Sequence, residues 1–241
     1  MPQSTSPLTR FIKILLVAAI VVSATLGWQH LQDPEQFPIN TVRVKASYDH
    51  TDQAQLAEIL TPHVSLGFFN LNKQNLKQAL MDTSPWIADI KLNKIWPDIL
   101  NVEIIEQVPA AQWEDKALIN PEGDVFYVPS ETFPKGLPIL FTEEEQVPEL
   151  LEMYEKMRVI LSPIHANITR ISASDREAIT LTLDNGTQML IGRKDPLPRL
   201  QRFVKVHPRI SRPGRHAETI DLRYEHGISV KWREEQNNGS L

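Results

Sequence analysis

Residues Phe11 to Trp28 are apolar except for Lys13, Ser23 and Thr25, and this run limits the chain more than any other feature of its sequence. As a helix it would be about 27 Å long, close to the roughly 30 Å hydrocarbon thickness of a bilayer. Lys13 lies one turn inside the edge, from where its stem can reach the head groups, and Trp28 suits the opposite interface. Arg10 and Lys13 come before or within the start of the run, and Asp33 and Glu35 follow it. The positive-inside tendency therefore puts residues 1–10 in the cytoplasm and the rest outside. A cleaved signal peptide is the alternative, but the run is long and Ser23-Ala24-Thr25 makes a poor cleavage site. We expect a retained anchor over 11–31.

Beyond residue 32 the chain holds 23 cations against all 30 acids, a balance of −7, which disfavours nucleic acid as a partner. The absence of cysteine excludes disulfides, thiolate nucleophiles and thiolate metal sites. With 9 glycines to 18 prolines the chain is poor in phosphate-cradling loops, and it contains no Gly-x-Gly-x-x-Gly, P-loop or Gly-x-Ser-x-Gly pattern.

The exported part reads as an α+β chain in two modules. Over 32–106, Val42 and Val44 mark a strand. Asp52 caps a helix that should stop at Pro62, a loop spans His63 to Leu71, and Asn72 caps a second helix that ends before Pro85. Two strands follow, marked by Ile87 to Ile95 and Leu100 to Ile104 and joined at Trp96-Pro97-Asp98. The order is β-α-α-β-β. Over 107–234 the pattern is a mainly antiparallel β module with two helices, leaving 235–241 as a tail. Hairpins are expected across Asn120–Gly123, across Asp184-Asn185-Gly186, and between Ile220–Tyr224 and Ile228–Trp232. The helices are expected at Val147–Leu161 and from Pro196 to just before Pro208.

No constellation for chemistry emerges. The seven histidines never pair at helical metal spacing, so no metal or cofactor is expected. Glu143 to Glu145 read as a solvated face. Glu103 and Glu106 are the one candidate carboxylate pair. Eight cations against Asp195 alone between Arg193 and Arg215 make a local basic face, either solvated or a dock for an acidic partner or the membrane surface. If Ile228–Trp232 is the sheet's edge, it can accept another chain as an added strand, with Tyr224 and Trp232 as anchors. Core packing is the plainer role for both rings.

These residues resemble the FtsQ/DivIB division proteins of bacteria, the Gram-negative branch above all. The resemblance rests on Pro85-Trp86-Ile87, Trp96-Pro97-Asp98, Leu100, Val102, Glu106, Pro109 and Trp113. It continues through Asn120–Gly123 with Phe126, Leu137-Pro138, Gly192-Arg193, Arg199-Leu200, Arg202-Phe203 and Asp221–Tyr224 with Gly227 and Trp232. It implies a non-enzymatic, single-pass inner-membrane protein of the division septum. Residues 32–106 would be a POTRA domain, with Gly67, Asn70 and Leu71 in its inter-helix loop. The β module would bind the division proteins FtsB and FtsL by strand addition. The implied contacts are Arg176, Arg223, Tyr224, Gly227 and Trp232, with Arg223 meeting a partner carboxylate, Gly227 allowing close approach, and His226 standing where a small residue is expected. Two other readings remain: a membrane-anchored periplasmic cell-wall hydrolase, marked by a polar pocket of convergent titratable groups, and an outer-membrane assembly or secretion component, for which the chain leaves no room for a barrel after the POTRA module.

Overall fold

The structure, a computed structural model, describes residues 7–174, 178–210, 215–225 and 227–233, with only the backbone of 7–10. The chain packs as two compact units, Met1–Gln107 and Val108–Leu241.

The first unit begins with α1 (Pro7–Leu31), whose apolar residues from Phe11 onward all face solvent. Phe11–Leu31 is the one helix among the described residues long and apolar enough to cross a membrane. Its polar Thr25 is satisfied internally, the hydroxyl donating to Val22 O at 2.9 Å. After it come β1 (Thr41–Lys45), α2 (Gln53–Val64), α3 (Gly67–Asn70), α4 (Lys73–Met81), β2 (Ile87–Ile95) and β3 (Ile99–Glu106). The three strands form one sheet, with β3 central, parallel to β1 and antiparallel to β2. Side chains alternate across the pleat, so Leu100, Val102 and Ile104 face the same way, with Ile90 opposite Ile104 and Leu92 opposite Val102. Leu56, Leu60, Leu76 and Leu80 of α2 and α4 cover that face.

Two expectations need correction here. The segment expected as a loop contains a third helix, α3, whose first residue, Gly67, has φ +82°. A Cβ there would lie 2.9 Å from Pro34 Cα, so only glycine fits. Pro62 does not stop α2, which continues to Val64. In a final turn the proline gives up a single hydrogen bond and no later turns have to stay in line. The caps are as expected: Asp52 Oδ1 accepts from Ala54 N at 3.0 Å, and Asn72 Oδ1 accepts from Gln74 N at 2.9 Å.

The two candidate carboxylates are separated by the pleat and committed to the fold. Glu103 pairs with Lys45 at 2.9 Å and faces Lys91 at 3.9 Å. Glu106 accepts from Ser47 Oγ at 2.8 Å, Thr51 N at 3.1 Å and the Thr51 hydroxyl. This clasp ties the β1–α2 connection to the end of β3. Burial pushes the Glu106 carboxyl up, but the bonds from Thr51, Ser47 and His50 outweigh it and hold the group below the ordinary value.

Among the described residues the second unit carries nine strands: β4 (Ala111–Trp113), β5 (Ala117–Ile119), β6 (Val125–Phe126), β7 (Ile139–Phe141), β8 (Ile168–Ala173), β9 (Ile179–Leu183), β10 (Gln188–Gly192), β11 (Ala217–Asp221) and β12 (Ser229–Trp232). Their order across the sheet is β12-β11-β10-β9-β8-β7-β4-β5-β6. Pairing is antiparallel except at β4/β7, β7/β8 and β10/β11. A parallel pair needs a crossover, and the two helices supply two of them: α5 (Val147–Leu161) joins β7 to β8, and α6 (Pro196–Ile210) joins β10 to β11. Met157 and Leu161 of α5 and Leu200 and Phe203 of α6 are buried with Ile171, Leu181 and Met189 of the sheet in one core.

Here α6 runs through Pro208 to Ile210, the proline again third from the end. The last hairpin is wider than expected. Its strands stop at Asp221 and resume at Ser229, which puts Tyr224 in the connection rather than in a strand.

Replacing Glu106 by Gln should lower stability by about 1–2 kcal/mol near neutral pH, since charge-assisted bonds become neutral ones. Because the folded value lies below the unfolded one, the Glu106 contribution is full above the ordinary glutamate range and fades as acid titrates the folded carboxyl. Urea midpoints of the two proteins across that range should therefore converge at low pH.

Candidate partner-binding edge

An open sheet has two ends. At one stands β6, two residues long and too short to template another strand. At the other stands β12, paired with β11 through Trp232/Ala217, Lys231/Thr219, Val230/Ile220 and Ser229/Asp221. No other strand flanks β12 among the described residues. Val230 and Trp232 lean toward the core side with Ile228, while Ser229 and Lys231 face solvent. The Trp232 ring lies under the Arg215 guanidinium, 5.7 Å from ring centre to carbon, a cation–π contact. Beyond the strand, Arg233 donates its N–H to His216 O and Nη2 to Asn185 O, both at 3.0 Å, which holds this end of β12 to the sheet.

The loop leading into β12 is held from α6. Leu222 is fully buried and its N–H donates to Leu190 O at 2.9 Å, carrying the parallel pairing one residue past β11. Arg202 then sends its guanidinium to three successive parts of the loop: Nη2 to Leu222 O at 3.3 Å and Tyr224 O at 2.7 Å, and Nη1 to Glu225 O. A planar fork of donors suits this task as an ammonium would not. One turn earlier, Arg199 Nη1 donates to Ile191 O at 2.8 Å. Gly192 leaves room for it, since a Cβ would come within 2.9 Å of that Nη1 and 3.2 Å of Arg223 Cγ. Part of the basic stretch 193–215 is therefore used by the fold itself: Arg199 and Arg202 bind backbone carbonyls and Arg215 covers Trp232.

With Leu222 turned in, Arg223 and Tyr224 turn out. Arg223 Nε and Nη2 grip Asp221 Oδ1 at 2.9 Å and Oδ2 at 2.6 Å, and its N–H also bonds Oδ1 at 3.0 Å. The Arg223 hydrogen bond holds the Asp221 carboxyl below its ordinary value, and the pair raises the guanidinium in turn. Tyr224 is 58% exposed and borders an open hollow with Glu225, Gly227, Ile228 and Ser229. A Cβ on Gly227 would meet nothing within 4 Å, so the chain's own packing does not demand glycine there.

The structure thus brings Arg223, Tyr224, Gly227 and Trp232 onto one loop and strand at the sheet's end. Arg176 and His226 lie outside the described residues. The reading from sequence missed Arg202, which orders the loop, and Asp221, which already occupies one edge of the Arg223 fork. The i, i+3 spacing of Arg199 and Arg202 on an amphipathic helix just after Gly192-Arg193 was the available signal.

Elsewhere in the second unit, a hollow beside α5 is lined by Thr142, Gln146, Glu149, Leu150, Met153 and Arg193, with one acid and one base as its charged members. Among the described residues no three His, Cys, Asp or Glu come together as a metal site.

Comparison with known proteins gives two family matches. Residues 37–107 match the POTRA domain of FtsQ type, and residues 111–223 match the C-terminal domain of the cell division proteins FtsQ/DivIB. Among curated relatives, the Cell division protein FtsQ of Coxiella burnetii is 32% identical, covering 93% of this chain and 92% of that protein. The protein of the same name from Methylomonas methanica is 31% identical over 92% and 90%, and that of Escherichia coli K12 is 28% identical over 91% and 82%.

Arg202→Met, which keeps the stem but removes the fork, should leave the carbonyls of Leu222, Tyr224 and Glu225 without their donor at a cost of about 1–3 kcal/mol. Hydrogen exchange should speed up at Leu222–Glu225 and in β12, with β8 and β9 unchanged. Uniform exchange across the unit in both proteins would mean that the guanidinium does not order the loop.

Proposed function

This chain belongs to the FtsQ/DivIB family of bacterial cell-division proteins, and from that premise we propose that it serves division as an anchored scaffold that binds and positions other division proteins without turnover. Its α1 crosses the inner membrane once, with residues 1–10 in the cytoplasm and both folded units in the periplasm at the septum. FtsB and FtsL are its partners, held through the second unit. A strand of the partner adds to β12 and becomes the next strand of the sheet.

The observation that carries this reading is that β12 ends the sheet with no further strand beside it among the described residues, next to a loop already fixed by Arg202. Ordering that loop in advance removes an entropy cost from binding. Tyr224 offers an exposed ring next to the edge, and Trp232, braced by Arg215, gives the strand a firm far end. Gly227 fits the proposal because no described residue comes within 4 Å of where its Cβ would stand. With Nε and Nη2 of Arg223 on Asp221, the Nη1 side of the guanidinium is left to meet a partner carboxylate. Arg176 stays among the proposed contacts on the strength of the family resemblance. No cluster of described residues favours the hydrolase reading over this one.

The test uses the full chain in nanodiscs and a purified FtsB–FtsL periplasmic segment. Tyr224→Ala and Trp232→Ala should each weaken binding by about 1–2 kcal/mol, roughly 5- to 30-fold. Gly227→Ala should weaken binding while leaving the melting temperature unchanged, because its Cβ projects into open space. Unaltered affinity in all three variants would remove the interface.

A further inference from the structure

The buried core cluster of the first unit is aliphatic, yet four aromatic rings gather at its edge beside the end of α1, with Phe68 alone of them packed against it. Phe37, Phe69 and Trp96 lie within 5.1–5.9 Å of one another by ring centres, and Phe68 joins through Phe69 at 5.5 Å and Trp96 at 5.6 Å. A buried cluster would be ordinary, but Trp96 is 59% exposed and Phe69 45%, and Leu66 and Ile95 beside them in sequence are exposed too. Large apolar groups left open together mark a surface with an occupant.

The occupant follows from where the cluster is fastened. The apolar span of α1 ends at Leu31, and Phe37 is six residues on, a reach of at most about 20 Å even if extended. The chain here is not extended: Asp33 O accepts from both Gln36 N and Phe37 N at 3.2 Å. Asn70 Nδ2 donates to Gln32 O at 2.6 Å, Phe68 N donates to Phe37 O at 2.8 Å, and Gly67 packs against Pro34. The His30 ring, in the last turn of α1, meets Phe37 edge-on at 6.1 Å. So α3 and the rings are pinned by a folded turn to the end of the spanning helix, next to where the chain leaves the hydrocarbon and enters the head-group layer. Aromatic rings favour that layer.

We propose that Phe69 and Trp96, with Leu66 and Ile95, insert into the outward-facing head-group region of the bilayer and seat the first unit on the membrane. This rests on the reading that α1 spans the membrane. The charges nearby do not steer it: Lys94 is turned onto Phe68 O and Leu71 O, and Asp33, Glu35 and Asp98, the other charges closest to Phe37 and Trp96 in sequence, are all acidic. Ring burial is the driving force, so seating is the same on zwitterionic and anionic lipid.

The cysteine-free chain allows a direct test. Full-length protein carrying one nitroxide label, at Leu66→Cys or Ile95→Cys, is reconstituted in phosphatidylcholine vesicles with or without phosphatidylglycerol. Power saturation then compares collision with oxygen, which partitions into lipid, and with a water-soluble nickel chelate. Val17→Cys reports on the span, and Asp82→Cys, past the far end of α4, reports on water. Labels at 66 and 95 should fall between those at 17 and 82, shifted from the water pattern toward oxygen in both lipids, and Phe69→Ser with Trp96→Ser should turn the label at 66 to the water pattern. Water-like labels at 66 and 95 beside a lipid-like label at 17 would overturn the seating while leaving the anchor intact. A label at 17 without the lipid pattern would remove the anchor and the seating together. Labels at 66 and 95 shielded from both reagents would mean that protein covers the rings, and would overturn the proposal as well.

Discussion

Backbone groups at the end of a sheet need hydrogen-bond partners, and this requirement governs the second unit. The sheet is open, so both ends present the problem. At β6 the strand is cut to two residues, which leaves almost nothing to template. At β12 the strand keeps four residues, and the loop before it is held firmly by a side chain from another element. The two ends are handled differently. Shortening makes an end inert, whereas fixing one in an extended conformation keeps it ready to be paired.

The first unit solves a different problem, that of closing a small domain directly against a long apolar helix. Its sheet has just three strands, and the connections are held by polar groups rather than by added core. Glu106 gathers the β1–α2 turn, and Asn70 and Gly67 fasten α3 to the residues that follow α1. Each of these devices bridges 30 or more residues of sequence. None depends on burying more apolar surface, of which so small a domain has little to spare.

Local signals in the sequence gave the elements well and their arrangement poorly. The caps at Asp52 and Asn72, the apolar stripes of α5 and α6 and the glycine turn at 184–186 all act over a few residues, and all appear in the structure. The three-residue strands β4 and β7 carry no period long enough to read. Pro62 and Pro208 look like stops because their rings oppose a helix interior, but within a terminal turn that penalty shrinks. The order of strands depends on parallel pairings across tens of residues, which no local pattern encodes. The same limit hid the edge's supports: Tyr224 alternates with its neighbours as a strand residue would, and nothing near it in sequence reveals that Arg202, 22 residues back on α6, holds its carbonyl.

From β7 to β12 the strands stand side by side in the order in which they occur along the chain. A polypeptide delivered N-terminus first can therefore lay down this part of the sheet like courses of brick, each new row resting on the one before. The final row has nothing to rest on until all the others exist. An immature or truncated molecule would lack the outermost row altogether, so the availability of that row serves as a built-in check that the rest has been assembled.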